Sequence, residues 1–194
     1  MQTLTVKITG TSDLIMHSDR LCNPLDPAKK EIAAYTGKRK KTDADHEEIA
    51  RLEWRAGMYY DDELGPHLPG RMIKAMLIGA AKKTKESPKV KSGLVVMSDK
   101  ARLEYDGPRD PAKMWKSGAF TDIRSVVVQR ARLMRCRPIF RNWSVTVEII
   151  YDESVIDKAD ILRMFTTGGL MIGIGDYRPE NSGDFGRFNV AEVK

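Results

Sequence analysis

The residues with the clearest chemical capacity are six arginines in one segment. Residues 123–147 contain six Arg and no Asp, Glu or Lys, and Phe140 and Trp143 lie near the end of the segment. A guanidinium offers a planar fork to phosphate oxygens and stacks on bases, and single-strand binding combines such cations with aromatic faces. The pattern predicts nucleic-acid contacts by Arg124, Arg130, Arg132, Arg135, Arg137, Arg141 and Trp143.

The net charge of the chain matches this segment. Lys and Arg number 33 and Asp and Glu 27, so the six arginines equal the whole net charge of +6. A second interpretation stays open, in which the arginines of a solvated hairpin pair with carboxylates elsewhere and Trp143 belongs to the core. Such a hairpin would bind an acidic partner protein or no partner at all.

A glycine-rich run between residues 168 and 186 is the second candidate. It contains six glycines but lacks the G-x-G-x-x-G order of a dinucleotide site, and no strand leads through it into a helix. Glycine allows backbone to approach a phosphate or another backbone closely. The pattern predicts close contact with a bound strand, or else a glycine cap and ordinary turns. The residues assigned here are Gly173, Gly175, Gly183 and Gly186, with Arg178.

Residues 65–72 have the glycine spacing of a phosphate-binding loop, but Arg71-Met72 replaces the required Lys-Ser/Thr and two prolines remove backbone donors. Nucleotide hydrolysis is therefore not expected. A helix that begins near Gly70 could present free N–H groups to a phosphate, together with Arg71 and Lys74, although ordinary capping explains the pattern equally well.

Neither a metal nor a cofactor is expected. The three histidines are scattered and have no Cys or carboxylate at the spacing of a metal site. Cys22 and Cys136 form no pairing motif, which is typical of proteins in a reducing compartment. Asp13, Asp19 and Asp26 cluster after the first strand, where loop carboxylates can promote RNA cleavage with a metal. Loop aspartates are more commonly turn or cap residues.

The chain of 194 residues, 41% hydrophobic and 31% charged, is typical of one globular domain. It has no apolar run near 18 residues, and its first residues alternate like a strand, so we expect a cytoplasmic protein without membrane contact. Periodicity predicts an α+β fold. The predicted elements are strands at 3–9, 123–133, 145–151 and 188–193, short strands within 91–105, core helices at 71–83 and 154–167 and a surface helix from 42.

The order strand, helix, strand, strand, helix, strand is that of a ferredoxin-like βαββαβ fold, a modified RNA-recognition motif. A bare core needs only about half of the chain. We therefore expect one domain over residues 1–194 with insertions at about 18–64, a loop plus a charged helix, and about 88–142, strands and the arginine-rich hairpin.

Two short sequence motifs resemble those of the repeat-associated mysterious protein (RAMP) superfamily, and within it those of the backbone subunits of CRISPR effector complexes. They are HLPGRMIKAML at 67–77 and the glycine-rich loop that ends in GDFGRF at 183–188. The resemblance implies a thumb-like hairpin, matched by the arginine-rich segment, and head-to-tail assembly along a guide RNA with other effector subunits. Some members cleave RNA with a loop aspartate, for which Asp26 is the nearest match, and similar small proteins are encoded by phages.

We therefore expect a non-catalytic subunit that binds single-stranded nucleic acid, RNA in preference to DNA, and self-associates into a helical or linear oligomer. Further contacts are assigned to His17 and Arg20. The alternatives are a metal-dependent endoribonuclease that uses Asp26, a phage single-stranded DNA-binding protein, and a module that binds an acidic protein.

Overall fold

The computed structural model describes residues 1–128 and 130–193. They form two compact units, each built from separate stretches of chain. The first unit comprises Met1–Leu14, Asp61–Asp106 and the chain from Phe140 onward, and the second comprises Ile15–Tyr60 and Gly107–Ile139. Gln129 and Lys194, which the sequence analysis included in the single domain, lie outside the described residues.

The chain alternates between strands and short helices. The strands are β1 (Gln2–Gly10), β2 (Leu14–Ile15), β3 (Tyr60–Asp61), β4 (Gly65–Pro69), β5 (Leu94–Val96), β6 (Lys100–Glu104), β7 (Thr121–Val128), β8 (Ala131–Phe140), β9 (Ser144–Tyr151) and β10 (Phe188–Glu192). The α-helices are α1 (Pro27–Thr36), α2 (Asp43–Gly57), α3 (Gly70–Lys82), α4 (Ser87–Gly93), α5 (Pro111–Ser117) and α6 (Lys158–Thr167). Short 3-10 helices span Asp19–Cys22 and Pro179–Asn181, and a π-helical segment spans Gly168–Ile172.

An antiparallel sheet and two amphipathic helices organise the first unit. The order of its strands is β10-β1-β9-β6-β4-β3, and β5 also pairs with β9. The strands β2, β8 and β7 form a separate sheet in that order. Alternate residues of β1, namely Leu4, Val6 and Ile8, are buried, because successive side chains of a strand point to opposite faces. Helix α3 buries Ile73 and Leu77 one turn apart. The expected α+β class is confirmed.

The strand expected at 123–133 is divided between β7 and β8, and both ends of the helix expected at 154–167 also differ. Helix α6 is capped by Asp157, whose carboxylate accepts a hydrogen bond from the Asp160 N–H at 2.7 Å, and not by Ser154. Ser154 instead bonds to Asp152 in the preceding turn. At the other end of the helix, Gly168 does not terminate the helical conformation but is the first residue of the π-helical segment.

The second unit contains three helices and the β7-β8 hairpin. The expectation of a loop from residue 20 to 41 is wrong, because Asp26 caps α1 and Pro27 occupies its first turn. Only Ile32 of α1 is buried, so the apolar periodicity that would reveal the helix is missing. The predicted start of α2 is confirmed by a capping box between Thr42 and Asp45.

Helix α2 is nevertheless more than a surface helix. Trp54 is buried, and its indole N–H donates to the backbone oxygen of Phe120 at 2.8 Å. A second small cluster packs Ile32 of α1 against Leu52 and Ala56 of α2. Side chains of α2 therefore join both stretches of chain that form the second unit.

The glycine-rich loop of the first unit packs against itself. Gly186 has φ +70°, and a Cβ there would overlap the carbonyl oxygen of Ile174. A Cβ on Gly183 would similarly overlap the carbonyl oxygen of Tyr177. The close approaches predicted for a bound strand are therefore made by the loop's own backbone.

The other assigned residues of this loop have the same role. Gly173 and Gly175 have φ of +73° and +86°, and a Cβ on Gly173 would lie 2.6 Å from the Pro179 ring. Arg178 donates to the Gly175 carbonyl at 3.2 Å and pairs with Glu180 at 2.8 Å, so it braces the loop.

Within residues 1–128 and 130–193, no helix has both the length and the apolar character needed to cross a membrane.

Two glycine substitutions test the loop's self-packing. Gly118 also has a positive φ, +67°, but a Cβ there has nothing within 4 Å. We expect Gly118→Ala to cost about 1 kcal/mol of unfolding free energy from backbone strain alone. Gly186→Ala should cost about 2 kcal/mol more, because the Ile174 carbonyl must also move. Denaturant unfolding measures both, and equal losses would show that the loop does not require this close approach.

Candidate nucleic-acid interface

Positive charge is concentrated in the second unit. Its two stretches contain 17 Lys and Arg against 10 Asp and Glu, a net charge of +7. The first unit contains the other 16 basic and 17 acidic residues, a net charge of −1. The excess therefore belongs to a whole folded unit, including lysines of its helices and loops, and not to the arginine-rich segment alone.

A buried carboxylate holds two of the six arginines at the base of the hairpin. Asp122 is 7% exposed and accepts hydrogen bonds from Arg124 at 2.8 Å and from Arg137 at 3.4 Å. Residues opposite each other in an antiparallel ladder share a face, and Asp122 lies opposite Arg137. The side chain of Arg137 is only 3% exposed, so its assignment as a phosphate ligand is wrong.

Two further arginines also have carboxylate partners. Arg135, opposite Arg124 in the ladder, pairs with Glu53 of α2, which also accepts a longer bond from the backbone N–H of Cys136. In the first unit, Arg141 lies 3.7 Å from Asp13. Three carboxylates outside the segment therefore pair with four of its six arginines, as the second interpretation predicted.

Trp143 is a core residue of the first unit. It is 1% exposed, its indole N–H donates to the Ser12 backbone oxygen at 2.8 Å, and its ring meets Phe188 edge-on at 6.5 Å. A buried, hydrogen-bonded indole has no face available to a base, so the assignment of Trp143 to stacking is wrong.

Arg130 and Arg132 remain at the tip of the hairpin. Both are exposed, and no carboxylate among the described residues pairs with either guanidinium, although Arg132 donates to the Ser125 hydroxyl at 3.4 Å. The strand register places Arg132 on one hairpin face with Val127, Met134 and Ile123. All three apolar side chains are at least 60% exposed. We call these four residues the exposed hairpin face.

A cavity of about 450 Å³ in the second unit brings other predicted residues together. His17, Arg135 and Arg137 line it, along with Glu53 and Lys29. Lys29 is not among the residues that the sequence predicts, because the weak apolar pattern of α1 does not indicate a helix there. Both cysteines also line this cavity, and burial raises the pKa of the Cys136 thiol to about 12, which keeps it protonated at neutral pH.

Asp26 has a structural role. Its carboxylate caps α1 by accepting from the Ala28 N–H at 2.9 Å and receives two hydrogen bonds from Arg20 at 2.9 and 3.1 Å. The Arg20 hydrogen bond is the largest effect that lowers the pKa of Asp26. In the part of the chain that the structure describes, no three His, Cys, Asp or Glu side chains are grouped as a metal site would require.

Arg71 and Lys74 belong to α3 of the first unit. Arg71 is exposed in the first turn of the helix. The ammonium group of Lys74 donates to the backbone oxygen of Leu94 at 2.8 Å, just after the last residue of α4. Its immediate contact is therefore the protein's own backbone, and the two residues lie in a different unit from the hairpin tip.

One aromatic residue was missed altogether. Trp115 of α5 is partly exposed and packs against Trp54, with ring centroids 5.4 Å apart. It lines a depression of about 320 Å³ with Arg51 and Arg55 of α2. In the sequence PAKMWKS, Lys113 and Lys116 lie close to Trp115, and this pattern of an aromatic residue among cations could have indicated Trp115 as a candidate.

Comparison with known proteins adds no assignment, since neither a protein-family model nor a curated protein matches this chain.

The two arginines that share Asp122 provide a matched test of structural and surface roles. We expect Arg137→Gln to lower the unfolding free energy by about 3 kcal/mol, because it breaks a buried ion pair. Arg124→Gln should cost less than about 1 kcal/mol, since Arg124 is 35% exposed. Urea unfolding of both variants measures the difference, and a smaller loss for Arg137→Gln than for Arg124→Gln would contradict the assignment.

Proposed function

We propose that this protein is a non-catalytic subunit that binds single-stranded nucleic acid, RNA in preference to DNA, through its second unit. The observation that carries the proposal is the charge separation between a unit of +7 and one of −1. Neutralisation of phosphates supplies most of the non-specific affinity of proteins for nucleic acids. A folded unit that concentrates cations on a small surface is suited to that role.

The hairpin tip is the proposed phosphate contact. Arg130 and Arg132 are exposed and have no described carboxylate partner, so their binding to phosphate requires no ion pair to be broken. Arg124, Arg135 and Arg137 differ in this respect, because each would first have to give up a carboxylate. We therefore assign the contact to the tip and the positioning of the hairpin to its base.

The arrangement of strands supports the proposed kinship with the RAMP superfamily. The order β10-β1-β9-β6, with α3 and α6 in the connections, is compatible with the proposed ferredoxin-like βαββαβ fold. The proposed hairpin contact matches the thumb that the resemblance implies. We accordingly propose assembly of copies along the bound strand, with other subunits of an effector complex as further partners.

Charge removal at the tip tests the contact. We expect Arg130→Gln/Arg132→Gln to weaken binding of a labelled single-stranded RNA at least tenfold in 50 mM salt. The slope of log K against log salt should fall by about 1.4, because two fewer counterion-releasing contacts form. Fluorescence anisotropy over a salt series, with DNA of the same sequence in parallel, measures both quantities and the preference for RNA.

The matched control is Lys83→Gln/Lys85→Gln. It removes the same charge from two exposed lysines of the first unit. The control should change affinity less than threefold. An equal loss from both double variants would show that only total charge matters, and failure of the wild-type protein to bind either strand at low salt would refute the proposed function.

A further inference from the structure

Trp115 differs from the other two tryptophans of the chain in its exposure. Trp54 and Trp143 are each 1% exposed, whereas Trp115 is only partly buried. Tryptophan is enriched at binding surfaces, so a partly exposed indole is a candidate contact residue.

Other residues of the second unit support Trp115. Trp54 packs against it with ring planes inclined at 54°, and Trp54 itself is anchored by its hydrogen bond to the Phe120 oxygen. Helix α5 is fixed by Met114, which is fully buried, and by the Asp110 cap on the Lys113 N–H at 2.8 Å. The indole is therefore supported by a buried ring and carried by an anchored helix, which favours preorganised binding.

Depressions flank this indole on two sides. The first, of about 320 Å³, is lined by Trp54, Pro111, Arg51 and Arg55. The second is lined by Ile123 and by α2 residues of both charge signs, namely Glu47, Glu48 and Arg51, and Arg51 is ion-paired with Glu48. Their volumes lie at the lower end of those typical of small-molecule sites, which suits one planar ring better than a large ligand.

Charges of both signs lie near the indole. Lys113 and Lys116 are exposed on α5, and the guanidinium carbon of Arg55 lies 4.4 Å from the centre of the Tyr60 ring. Ile123 also belongs to the exposed hairpin face, so the surface continues from Trp115 to Arg132 within one unit. The first depression joins the indole to Arg51 and Arg55 without an acidic residue among its described lining residues, and this combination complements a polyanion whose bases are planar.

We propose that Trp115 is the base-stacking platform of the second unit and takes one unpaired nucleobase against its indole. This inference rests on the proposed function and names the contact by which a single strand is distinguished from other polyanions. Arg55, which lines the first depression together with the indole, would contact a flanking phosphate. The alternative occupant, a proline-rich segment of a partner protein, is tested below.

Stacking is separated from charge by two probes of equal length. One is a single-stranded RNA oligomer and the other is an abasic oligomer with the same phosphodiester charge. Wild-type protein should bind the RNA more tightly and show quenched tryptophan fluorescence on binding it. Trp115→Leu, which keeps an apolar side chain without an aromatic face, should bind the RNA roughly 5- to 150-fold more weakly, the range for loss of one stacked base. Its affinity for the abasic oligomer should be unchanged.

Trp115→Phe is the second variant, and it should restore most of the affinity while the fluorescence quenching disappears, because Trp54 and Trp143 are buried. Equal binding of RNA and abasic oligomer by the wild type, or unaltered RNA binding by Trp115→Leu, would overturn the platform and leave the proposed function standing. Binding of neither oligomer by the wild type would instead refute the function. If a polyproline peptide quenches the tryptophan fluorescence and RNA does not, Trp115 is a contact for a protein partner and not for a nucleobase.

Discussion

The buried indole of Trp54 is the contact on which the second unit depends. Its N–H donates to the Phe120 oxygen, 66 positions further along the chain, and its ring supports Trp115. The preceding residue, Glu53, pairs with Arg135 and accepts from the Cys136 N–H. Two consecutive residues of α2 therefore anchor both α5 and the hairpin. A buried tryptophan combines a large apolar area with one directional hydrogen bond, so it specifies position as well as stability.

Ion pairing divides the arginines of the hairpin into two groups. Near the base, Asp122 and Glu53 hold Arg124, Arg135 and Arg137, and the burial of Asp122 and Arg137 makes that pairing obligatory. At the tip, Arg130 and Arg132 have no such partner among the described residues. The same residue type thus orients the hairpin at one end and, in the proposed function, contacts phosphate at the other.

The elements that the sequence predicted well have strong periodicity. Alternation in β1 and β9 and the buried stripe of α3 follow from residues 4–8, 145–151 and 73–81 with little dependence on context. Helices α1, α4 and α5 were missed because they have only 10, 7 and 7 residues and each buries a single side chain. Short helices of this kind are stabilised by caps and tertiary packing, which a periodic pattern does not report.

The site was less predictable than the fold. The arginine-rich segment was correctly seen to lack acids, yet Asp122 lies one residue before it and Glu53 is 82 positions from Arg135. Charge pairing therefore depends on tertiary structure, and the separation of +7 from −1 becomes visible only when the two units are known. The sequence does not distinguish Trp143 from Trp115, and only the structure shows that Trp143 is buried and Trp115 partly exposed.

Photocrosslinking of the protein to a single-stranded RNA, followed by mass spectrometry of the crosslinked peptides, tests the central claim most directly. Our account predicts crosslinks in peptides from residues 15–60 and 107–139, with those that contain Trp115 and the hairpin tip the most abundant. Crosslinks mainly in the first unit, above all in the lysine-rich stretch at 82–91 or in the glycine-rich loop, would contradict it.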